Sequence, residues 1–399
     1  MSAALPLTGI RVVEAASGVA GPMAACRLHD LGAEVVKIEW GEGDWMRGCP
    51  PFLADGTSSA FAALNRGKRA VRAATGNAAD AALIRALVQR ADIFITDLAT
   101  DALVAAGLEG VDADVCAWHP RLVVAQISAL GRRGPLAGKP GSELGAQAMA
   151  GYTRYLGTGS EPAVRLGADV AGCGTGIFTT QAVLAALYAR RKNQRGQRVD
   201  LSLLNSLLAM KTVHLAAQSD PDEFEGPRVG GAYDPPERGW KTRDKPITFA
   251  FGGAVGAEGR PGWIQFVEAM GLAHMLADPR YDKSGRLTTG LGPKAREFKA
   301  EYEAGFVGHP AEHVVAKVRE FGGFASAYYT HDELMREPQV AKLGIVTRVG
   351  EGDGMATLAF PVKFGSTLTR VEGRAPRLGE HTRAVADEFA AASAAPAAR

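Results

Sequence analysis

Short apolar runs alternate with helical segments along the first 130 residues, and this alternation limits the folds open to the chain more than any other feature. Predicted strands lie at 9–14, 34–39, 69–72, 92–96 and 121–128, with predicted helices at 23–31 and 79–89 between them. Strands separated by helices of this length form βαβ units, whose strands are parallel. We therefore predict an α/β fold with a Rossmann-like parallel sheet and helices on both of its faces.

A stretch rich in Gly, Pro and acidic residues at 221–240 is predicted to be a linker. The chain has 399 residues, which is too long for one compact core, so a second domain is expected. Further helical or strand patterns occur at 174–190, 199–209, 246–251, 263–270, 295–303 and 311–319. The Gly-rich stretch at 251–259 is either a loop that lines a site or an ordinary surface loop. We predict a large N-terminal part at 1–220 and a smaller α/β domain at 241–330.

Charge and cysteine content exclude several classes of function. The 45 basic and 43 acidic side chains give a net charge of +2, whereas nucleic-acid and membrane-surface binding need a clustered excess of Lys and Arg. We therefore expect no nucleic-acid or membrane partner, and no apolar stretch approaches the roughly 20 residues of a membrane helix. The four cysteines show no Cys-x-x-Cys spacing, which indicates reduced thiols in a cytoplasmic protein.

No metal site is expected either. Among the eight histidines, only His309 and His313 have the spacing of metal ligands on a helix. An exposed pair is the preferred interpretation of these two residues, because they lie in an amphipathic helix of the small domain that a proline initiates.

Several short motifs follow one another in order along most of the chain. They are Ala-Gly-Pro-Met at 20–23, Leu-Gly-Ala-Glu-Val-Val-Lys-Ile-Glu at 31–39, Leu-Asn-Arg-Gly-Lys-Arg at 64–69, Pro-Arg-Leu-Val at 120–123, Gly-Arg-Arg-Gly-Pro at 131–135, Gln-Ala at 147–148, Arg-Gly-Gln-Arg-Val-Asp-Leu-Ser-Leu-Leu at 195–204, Glu-Pro-Gln at 337–339 and Ala-Pro-Arg-Leu-Gly-Glu-His-Thr at 375–382. In this order and at this spacing they resemble the class III CoA-transferase family of the CaiB/BaiF type.

The resemblance implies a Rossmann-like large domain built from both ends of the chain, with residues 331–399 returning to it, and an interlocked dimer. It also implies transfer of CoA from an acyl-CoA to a carboxylic acid, with CoA or acyl-CoA as substrate and no metal. In the family an aspartate attacks the thioester and forms a mixed anhydride, which is covalent catalysis. CoA thiolate then returns, and the acceptor acid completes the exchange.

The position that carries this aspartate in the family is a glycine here. The family nucleophile lies four residues before the glycine that opens the helix ending in Leu-Ala-Ala-Leu, which is Gly176 in this chain. The nucleophile position is therefore Gly172, which has no side chain to attack a thioester. The nearest acid is Asp169, but in an extended segment three residues correspond to about 10 Å and the opposite face. Asp169 would act as nucleophile only if the loop were re-registered; otherwise it caps a turn or pairs with Arg165.

Two other residues near this position are candidates for a catalytic role. Cys173 is either a thiol nucleophile with a lowered pKa or, by preference, a small buried thiol. In the racemase branch of the family a His-Asp pair exchanges a proton, but this chain has Gly-Ser-Glu at 141–143 and lacks the histidine. Glu143 replaces the acid there, or simply caps the helix toward Ala148. The glycines at 172, 174 and 176 do not follow the first strand, so an NAD site is not predicted.

The residues that bind the CoA nucleotide in the family also differ. Trp40 follows Glu39 where the family has an arginine, and the loop at 96–101 is acidic where a second arginine is usual. The remaining candidates for CoA binding are Val19, Ala20, Lys37, Arg66, Lys68, Arg69, Arg132 and Arg133. For the basic members of this set, solvated surface charge is the alternative.

These observations favour one hypothesis over two others. The chain is predicted to be the non-catalytic subunit of a heteromeric class III CoA-transferase, such as a benzylsuccinate CoA-transferase, with a homologous catalytic partner subunit. The alternatives are a self-sufficient transferase that uses Asp169, and a non-catalytic protein that binds an acyl-CoA or an organic acid.

Overall fold

The structure is a computed structural model. It describes residues 5–153, 163–217, 219, 239–251, 261–281, 283–285, 288–290, 294–349 and 354–394. The predicted linker at 221–240 and the Gly-rich stretch at 251–259 therefore lie almost entirely outside the described residues.

The chain forms two compact units. The large unit comprises Met1–Leu156, Pro162–Met210 and Pro338–Arg399, so both ends of the chain contribute to it. The small unit comprises Gly157–Glu161 and Lys211–Glu337.

The large unit is built on a six-stranded parallel sheet. Its strands are β1 (Arg11–Ala15), β2 (Glu34–Trp40), β3 (Arg69–Ala73), β4 (Ile93–Thr96), β5 (Val123–Ser128) and β6 (Arg198–Ser202), in the spatial order β3-β2-β1-β4-β5-β6. Every pairing is parallel. This confirms the Rossmann-like sheet that was predicted. The order reverses direction between β1 and β4, and in open parallel sheets ligands bind outside the carboxyl ends of the strands at this point.

Helices cover both faces of the sheet. The helices of the large unit are α1 (Ala20–Asp30), α2 (Ser59–Asn65), α3 (Ala78–Gln89), α4 (Thr100–Ala105), α5 (Glu143–Met149), α6 (Val170–Asn193), α7 (Leu203–Met210), α13 (Pro338–Leu343) and α14 (Thr382–Ala394). One face packs on α3, α4 and α14 through an apolar cluster that includes Phe94 and Val385. The other packs on α1 and α6 through a cluster that includes Leu28 and Val183. The strands are therefore buried on both sides, as their continuous apolar runs indicate.

Helix α6 begins earlier and runs longer than predicted. It starts at Val170, four residues before the predicted start, and packs closely on α1. A Cβ atom at Gly176 would lie 2.9 Å from Met23 Cβ and 3.0 Å from the Ala20 carbonyl oxygen, so only glycine fits this crossing. The helix is long and apolar enough to span a membrane by length and composition, which corrects the expectation that no such stretch exists. Half of its most apolar stretch is buried inside the protein, and the core helix of a soluble protein can have the same length and composition.

The C-terminal segment completes the edge of the sheet. A β-hairpin of β9 (Val346–Val349) and β10 (Met355–Leu358) precedes it. The Ala70 amide of edge strand β3 donates to His381 Nδ1 at 3.2 Å, and the Ala70 carbonyl accepts from the His381 amide at 2.9 Å. The Arg72 amide donates to Thr382 Oγ1 at 2.9 Å. The returning chain therefore satisfies edge groups that would otherwise face solvent.

The small unit surrounds an aromatic core. It contains β7 (Ile247–Ala250) antiparallel to β8 (Phe324–Ala327), with α8 (Thr212–Ala217), α9 (Pro261–Ala269), α10 (Lys299–Phe306), α11 (Ala311–Glu320) and α12 (His331–Arg336). Phe249 lies at its centre, with ring centroids 4.7 Å from Trp240 and 5.1 Å from Tyr302. Buried Trp263 donates its indole N–H to the Tyr302 hydroxyl at 3.0 Å, so these two polar groups of the core are paired.

Candidate active site

Two predicted CoA-binding lysines belong to a buried ion cluster beneath the turn that follows β1. Lys37 Nζ donates to Glu14 Oε1 at 2.8 Å, and Lys68 Nζ donates to Glu14 Oε2 at 2.6 Å. Lys37 Nζ also lies 3.0 Å from Asp44 Oδ2. Glu14 and Lys37 are completely buried and Lys68 almost so, and this burial lowers the pKa of Lys68. A charge buried this deeply is stable only with its partners.

The cluster fixes the backbone of the turn at residues 16–18. Lys37 Nζ donates to the Ala16 carbonyl at 2.7 Å. The Ser17 amide donates to Asp97 Oδ2 and the Gly18 amide to Asp44 Oδ1, both at 3.0 Å. Lys37 therefore holds this turn in place, and Lys68 contributes to the same cluster through Glu14.

The prediction that four of the basic residues meet phosphates does not fit the geometry. Lys37 and Lys68 are enclosed in the cluster. Buried Arg66 forms an ion pair with buried Asp30, with Nη1 and Oδ1 2.6 Å apart. Arg69 starts β3 at the amino edge of the sheet and pairs with Glu388, far from the carboxyl ends where ligands bind.

A pocket of about 690 Å³ opens at the carboxyl edge of the sheet in the large unit. Its walls are the segments that follow β1, β4 and β5, together with the loop before α5 and the start of α6. It lies where the strand order reverses, which is the position expected for a ligand. Two sets of predicted residues meet here. Val19 and Ala20 line it from the start of α1, and Asp169 and Gly172 line it from the start of α6.

The nucleophile position faces this pocket but is crowded. Gly172 lies in the first turn of α6 and is buried. A Cβ atom there would lie 2.8 Å from Val19 Cβ and 2.9 Å from Val19 Cγ1, well inside the normal separation of about 3.5–4.0 Å between carbon atoms. The glycine therefore allows α6 to approach the start of α1.

The carboxylate of Glu143 lies at the N-terminal end of α6. Its Oε1 accepts from the Ala171 amide and its Oε2 from the Gly172 amide, both at 2.8 Å. Gln147 Nε2 also donates to Oε1 at 2.8 Å. A carboxylate at the N-terminus of a helix is stabilised by its free amides and by its dipole. The expectation that Glu143 caps its own helix is therefore wrong: it caps α6, and Ser142 caps α5.

Asp169 is closer to the nucleophile position than an extended segment would allow. It is the residue before the first helical residue of α6, and residues three apart on a helix lie on the same face. Its carboxylate makes no helix cap and pairs with Arg165, and both side chains are nearly half exposed. Asp169 thus borders the pocket as a partly solvated ion pair.

Two further groups in the region have shifted pKa values. Burial, together with the charges of Asp169 and Glu143, raises the pKa of Cys173, so its thiolate is disfavoured at neutral pH. This supports the interpretation of Cys173 as a structural thiol. Asp97 lines the pocket and is exposed to solvent, and desolvation by the surrounding protein raises its pKa to about 6.

Cations are few around the pocket. Arg132 lines it, but its guanidinium lies 3.1 Å from Asp112 Oδ2 and 3.7 Å from Asp200 Oδ1. Arg133 is exposed and is not part of the lining. Lys139 does line it and was not among the predicted residues, although it lies just beyond the Gly-Arg-Arg-Gly-Pro motif that was recognised.

Metal ligands are not grouped in the described part of the chain, where no cluster of three or more His, Cys, Asp or Glu residues could hold an ion. His309 and His313 stack with ring centroids 4.6 Å apart at the start of α11.

A doubly wound parallel sheet with a pocket at its switch point is typical of α/β proteins that bind small molecules at the carboxyl edge of the sheet. Residues 7–382 match CoA-transferase family III. The chain therefore belongs to this family. It is 29% identical to the succinate–glutarate CoA-transferase of Agrobacterium fabrum, over 96% of both chains.

Further relatives agree with this assignment. The chain is 28% identical to the succinyl-CoA:mesaconate CoA-transferase of Haloarcula marismortui, again over 96% of each sequence. A crystal structure of a CaiB/BaiF family protein from Brucella suis superimposes with a TM-score of 0.81 at 25% identity, covering 96% of this chain and 99% of that one. The resemblance found in the sequence motifs is confirmed.

Proposed function

We propose that this chain is the non-catalytic subunit of a heteromeric CoA-transferase, and that a homologous partner supplies the nucleophilic aspartate. The complex moves CoA from an acyl-CoA to a carboxylic acid. The proposal rests on the packing around position 172, which leaves no space for a side chain. Glycine lies there, the Val19 side chain fills the space of a Cβ atom, and Glu143 takes the amides of the first turn.

The small number of cations around the pocket also supports the role of a non-catalytic subunit. CoA carries several phosphates, and Coulomb attraction to Lys and Arg is the usual means of holding them. Of the basic candidates, Lys37, Arg66 and Lys68 are buried with acidic partners, and Arg132 faces two aspartates. Lys139 is the one other cation in the described lining of the pocket. Asp97 adds a carboxylate to the wall of the pocket. Tight binding of CoA is therefore assigned to the partner.

Exposed apolar side chains on the large unit support a partner subunit. Ile177 and Tyr188 on α6 are 53% and 63% exposed, and Leu144 and Met149 on α5 are 51% and 50% exposed. Exposed apolar groups that recur on neighbouring helices are typical of surfaces that another chain covers. The four unpaired cysteines suit the reducing cytoplasm, which is the proposed location.

The relatives suggest the substrate class. The Agrobacterium and Haloarcula enzymes act on succinate, glutarate or mesaconate by name. We assign the complex an acyl-CoA and a dicarboxylic acid as its substrates on this basis.

A self-sufficient enzyme that uses Asp169 is the second candidate, because Asp169 borders the same pocket as Gly172. Its pairing with Arg165 and its solvation argue against a nucleophilic role. Nucleophilic carboxylates are held in sites that exclude water, and Asp169 is 45% exposed.

One experiment separates the two candidates. The chain is purified alone and together with its co-purifying homologue, and CoA transfer from succinyl-CoA to glutarate and to mesaconate is measured. We expect no transfer by the lone chain, transfer by the pair, and an unchanged rate when the chain in the pair carries Asp169→Asn. Robust transfer by the lone chain, abolished by Asp169→Asn, establishes the second candidate in place of the first.

A further inference from the structure

We infer that Asp97 sets the charge selectivity of the pocket in the large unit, which disfavours anions while this carboxyl is ionised and accepts them once it is protonated. The anions concerned are the carboxylates of dicarboxylic acids and the phosphates of CoA. The inference rests on the proposed function, which it deepens: it names the residue that makes this chain a weak binder of such ligands at neutral pH.

The ends of two strands fix the position of this carboxylate. Asp97 directly follows β4, and the hydroxyl of Thr96, the last residue of that strand, donates to the Ala15 carbonyl at the end of β1 at 3.0 Å. Asp97 Oδ2 in turn accepts the Ser17 amide at 3.0 Å. Strands β1 and β4 are the two between which the strand order reverses. The carboxylate therefore lies on the pocket wall at the point where a ligand is expected.

Asp97 is also the least compensated acid of the described lining, which contains two others. Asp169 pairs with Arg165, and Glu143 accepts a backbone amide of α6 on each of its oxygens. Asp97 accepts the Ser17 amide and forms no ion pair with a Lys or Arg in the part of the chain that the structure describes. Its negative charge is therefore the one that a ligand in the pocket meets most directly.

Charged groups packed behind Asp97 act on it in opposite directions. Lys37 on β2 attracts the carboxylate, but its ammonium is already shared between Glu14 and Asp44. Asp44, in the loop after β2, repels the carboxylate. Desolvation by the surrounding protein is larger than the opposing effects of the Ser17 amide and Lys37, and the pKa of Asp97 is raised to about 6. The carboxyl therefore changes its charge close to neutral pH.

The opposing cations of the pocket are few. Lys139 and Arg132 are those of the described lining, and the Arg132 guanidinium lies 3.1 Å from Asp112 Oδ2 and 3.7 Å from Asp200 Oδ1. This leaves Lys139 to attract an anion and Asp97 to repel it. A pocket of about 690 Å³ is roughly 10 Å across, so an anion inside it lies within about one Debye length of Asp97. Protonation of Asp97 removes the repulsion and leaves the attraction.

Binding of an anion is thereby coupled to uptake of a proton. A ligand that binds only one form of a protein has an apparent affinity proportional to the population of that form. With a pKa of about 6, the protonated fraction of Asp97 falls about tenfold for each pH unit above 7. At pH 5.5 most of the carboxyl is protonated, and its effect on the affinity is small.

The test compares the wild-type chain with Asp97→Asn at full length. Asparagine keeps an oxygen for the Ser17 amide and loses the charge. Isothermal titration calorimetry with CoA and, separately, with glutarate gives Kd at pH 5.5, 6.5 and 8.0. The ratio of wild-type to variant Kd at each pH cancels the titration of the ligand itself. The matched control is Asp101→Asn, because Asp101 is an exposed acid in the first turn of α4 and is not part of the described lining.

For Asp97→Asn we expect a Kd ratio within twofold of 1 at pH 5.5 and of at least 10 at pH 8.0, because only the wild-type carboxyl is then ionised. Asp101→Asn stays within twofold of the wild type at every pH. A gain for CoA alone identifies its phosphates as the anion that Asp97 repels, and a gain for glutarate alone identifies the carboxylates. The wild-type chain also takes up about one proton per glutarate bound at pH 7.5, measured from the binding heats in buffers of different ionisation enthalpy. This measurement needs no substitution.

Three results overturn the inference. They are a Kd ratio for Asp97→Asn that does not change with pH, an equal effect of Asp101→Asn, and binding of neither ligand by the wild-type chain at pH 5.5. Failure of the proposed function is seen separately, as CoA transfer by the lone wild-type chain, on which none of these titrations depends.

Discussion

Single ionised side chains inside the large unit are held by partners that lie far away along the chain. Lys68 is the extreme case: its ammonium donates to Glu14, to the Asn65 side chain and to the Pro22 carbonyl, with no exposure to solvent. Removing one member of such a group leaves the other charge buried and unpaired. The exposed pair of Arg69 and Glu388, one residue further along, has no comparable cost.

Lys68 and Arg69 are adjacent in the sequence, so the same substitution at each compares a buried ion pair with an exposed one. We expect Lys68→Met to lower the free energy of unfolding by about 3–5 kcal/mol, because Glu14 loses a partner in a buried site. Arg69→Met changes it by less than about 1 kcal/mol, since exposed ion pairs contribute little. Urea unfolding followed by circular dichroism measures both values. Equal losses in the two variants contradict the buried cluster.

A second prediction concerns pH and His29. Burial, reinforced by Arg370, lowers the pKa of this imidazole to about 4, and the Arg370 guanidinium donates to its Nδ1 at 3.0 Å. The folded state therefore favours neutral His29. Its contribution is fully present above the ordinary pKa of about 6.5 and is lost as the pH falls toward 4.

Between pH 7 and pH 4 the wild-type chain should lose about 3 kcal/mol more stability than His29→Gln, which has no imidazole to protonate. Urea unfolding across this range checks the difference. Parallel pH profiles for the two proteins show that His29 titrates normally.

At the scale of single elements, α6 is the most informative. Three glycines lie in or just after its first turn, and glycine costs about 1 kcal/mol relative to alanine in a helix. Gly174 faces the flexible end of Met210, whose methyl carbon lies 2.8 Å from where a Cβ atom would be, whereas Gly176 faces backbone and a Cβ of α1. The two positions therefore respond differently to the same substitution.

We expect Gly174→Ala to be neutral or to raise the Tm, because the Met210 methyl moves aside and helix propensity improves. Gly176→Ala lowers the free energy of unfolding by about 1–3 kcal/mol, because α1 has no such freedom. Thermal unfolding of the two variants measures both changes in stability. Stabilisation by both substitutions is incompatible with the tight crossing of α1 and α6.

The sheet was predictable because each strand carries its own apolar run, and a fully buried strand is recognised from local sequence alone. The first turn of α6, residues 170–173, was not, because the segment around Gly172 resembles an extended loop when only its local sequence is considered. Packing on α1 and the carboxylate of Glu143, 29 residues before Gly172, make this segment helical. The sites of Lys37 and Lys68 were mistaken for the same reason, since Glu14 lies 23 and 54 residues away from them. Ion pairs between residues this far apart in the sequence cannot be recognised from the local sequence pattern.

For the whole molecule, the large unit depends on both ends of the chain. Residues 381 and 382 cover the amides of β3, and Val385 enters the core on that face of the sheet. We expect a chain that ends at residue 380 to aggregate, because the edge of β3 and an apolar surface are both exposed. A chain that ends at residue 394 should remain monodisperse. Size-exclusion chromatography with light scattering compares the two, and a well-behaved shorter chain argues against a sealing role for this segment.

This late closure also sets an order of events during synthesis. When Met210 has been made, the six strands exist, but the residues that seal β3 lie about 170 codons further on. At roughly 5–20 residues per second, the ribosome adds them about 9–34 s later. During that interval the nascent sheet has an open edge, which neighbouring nascent chains on the same message can reach. We therefore expect a chaperone that shields this edge, or slow translation of the small unit, to change the yield of the folded chain, although the finished fold shows no sign of this.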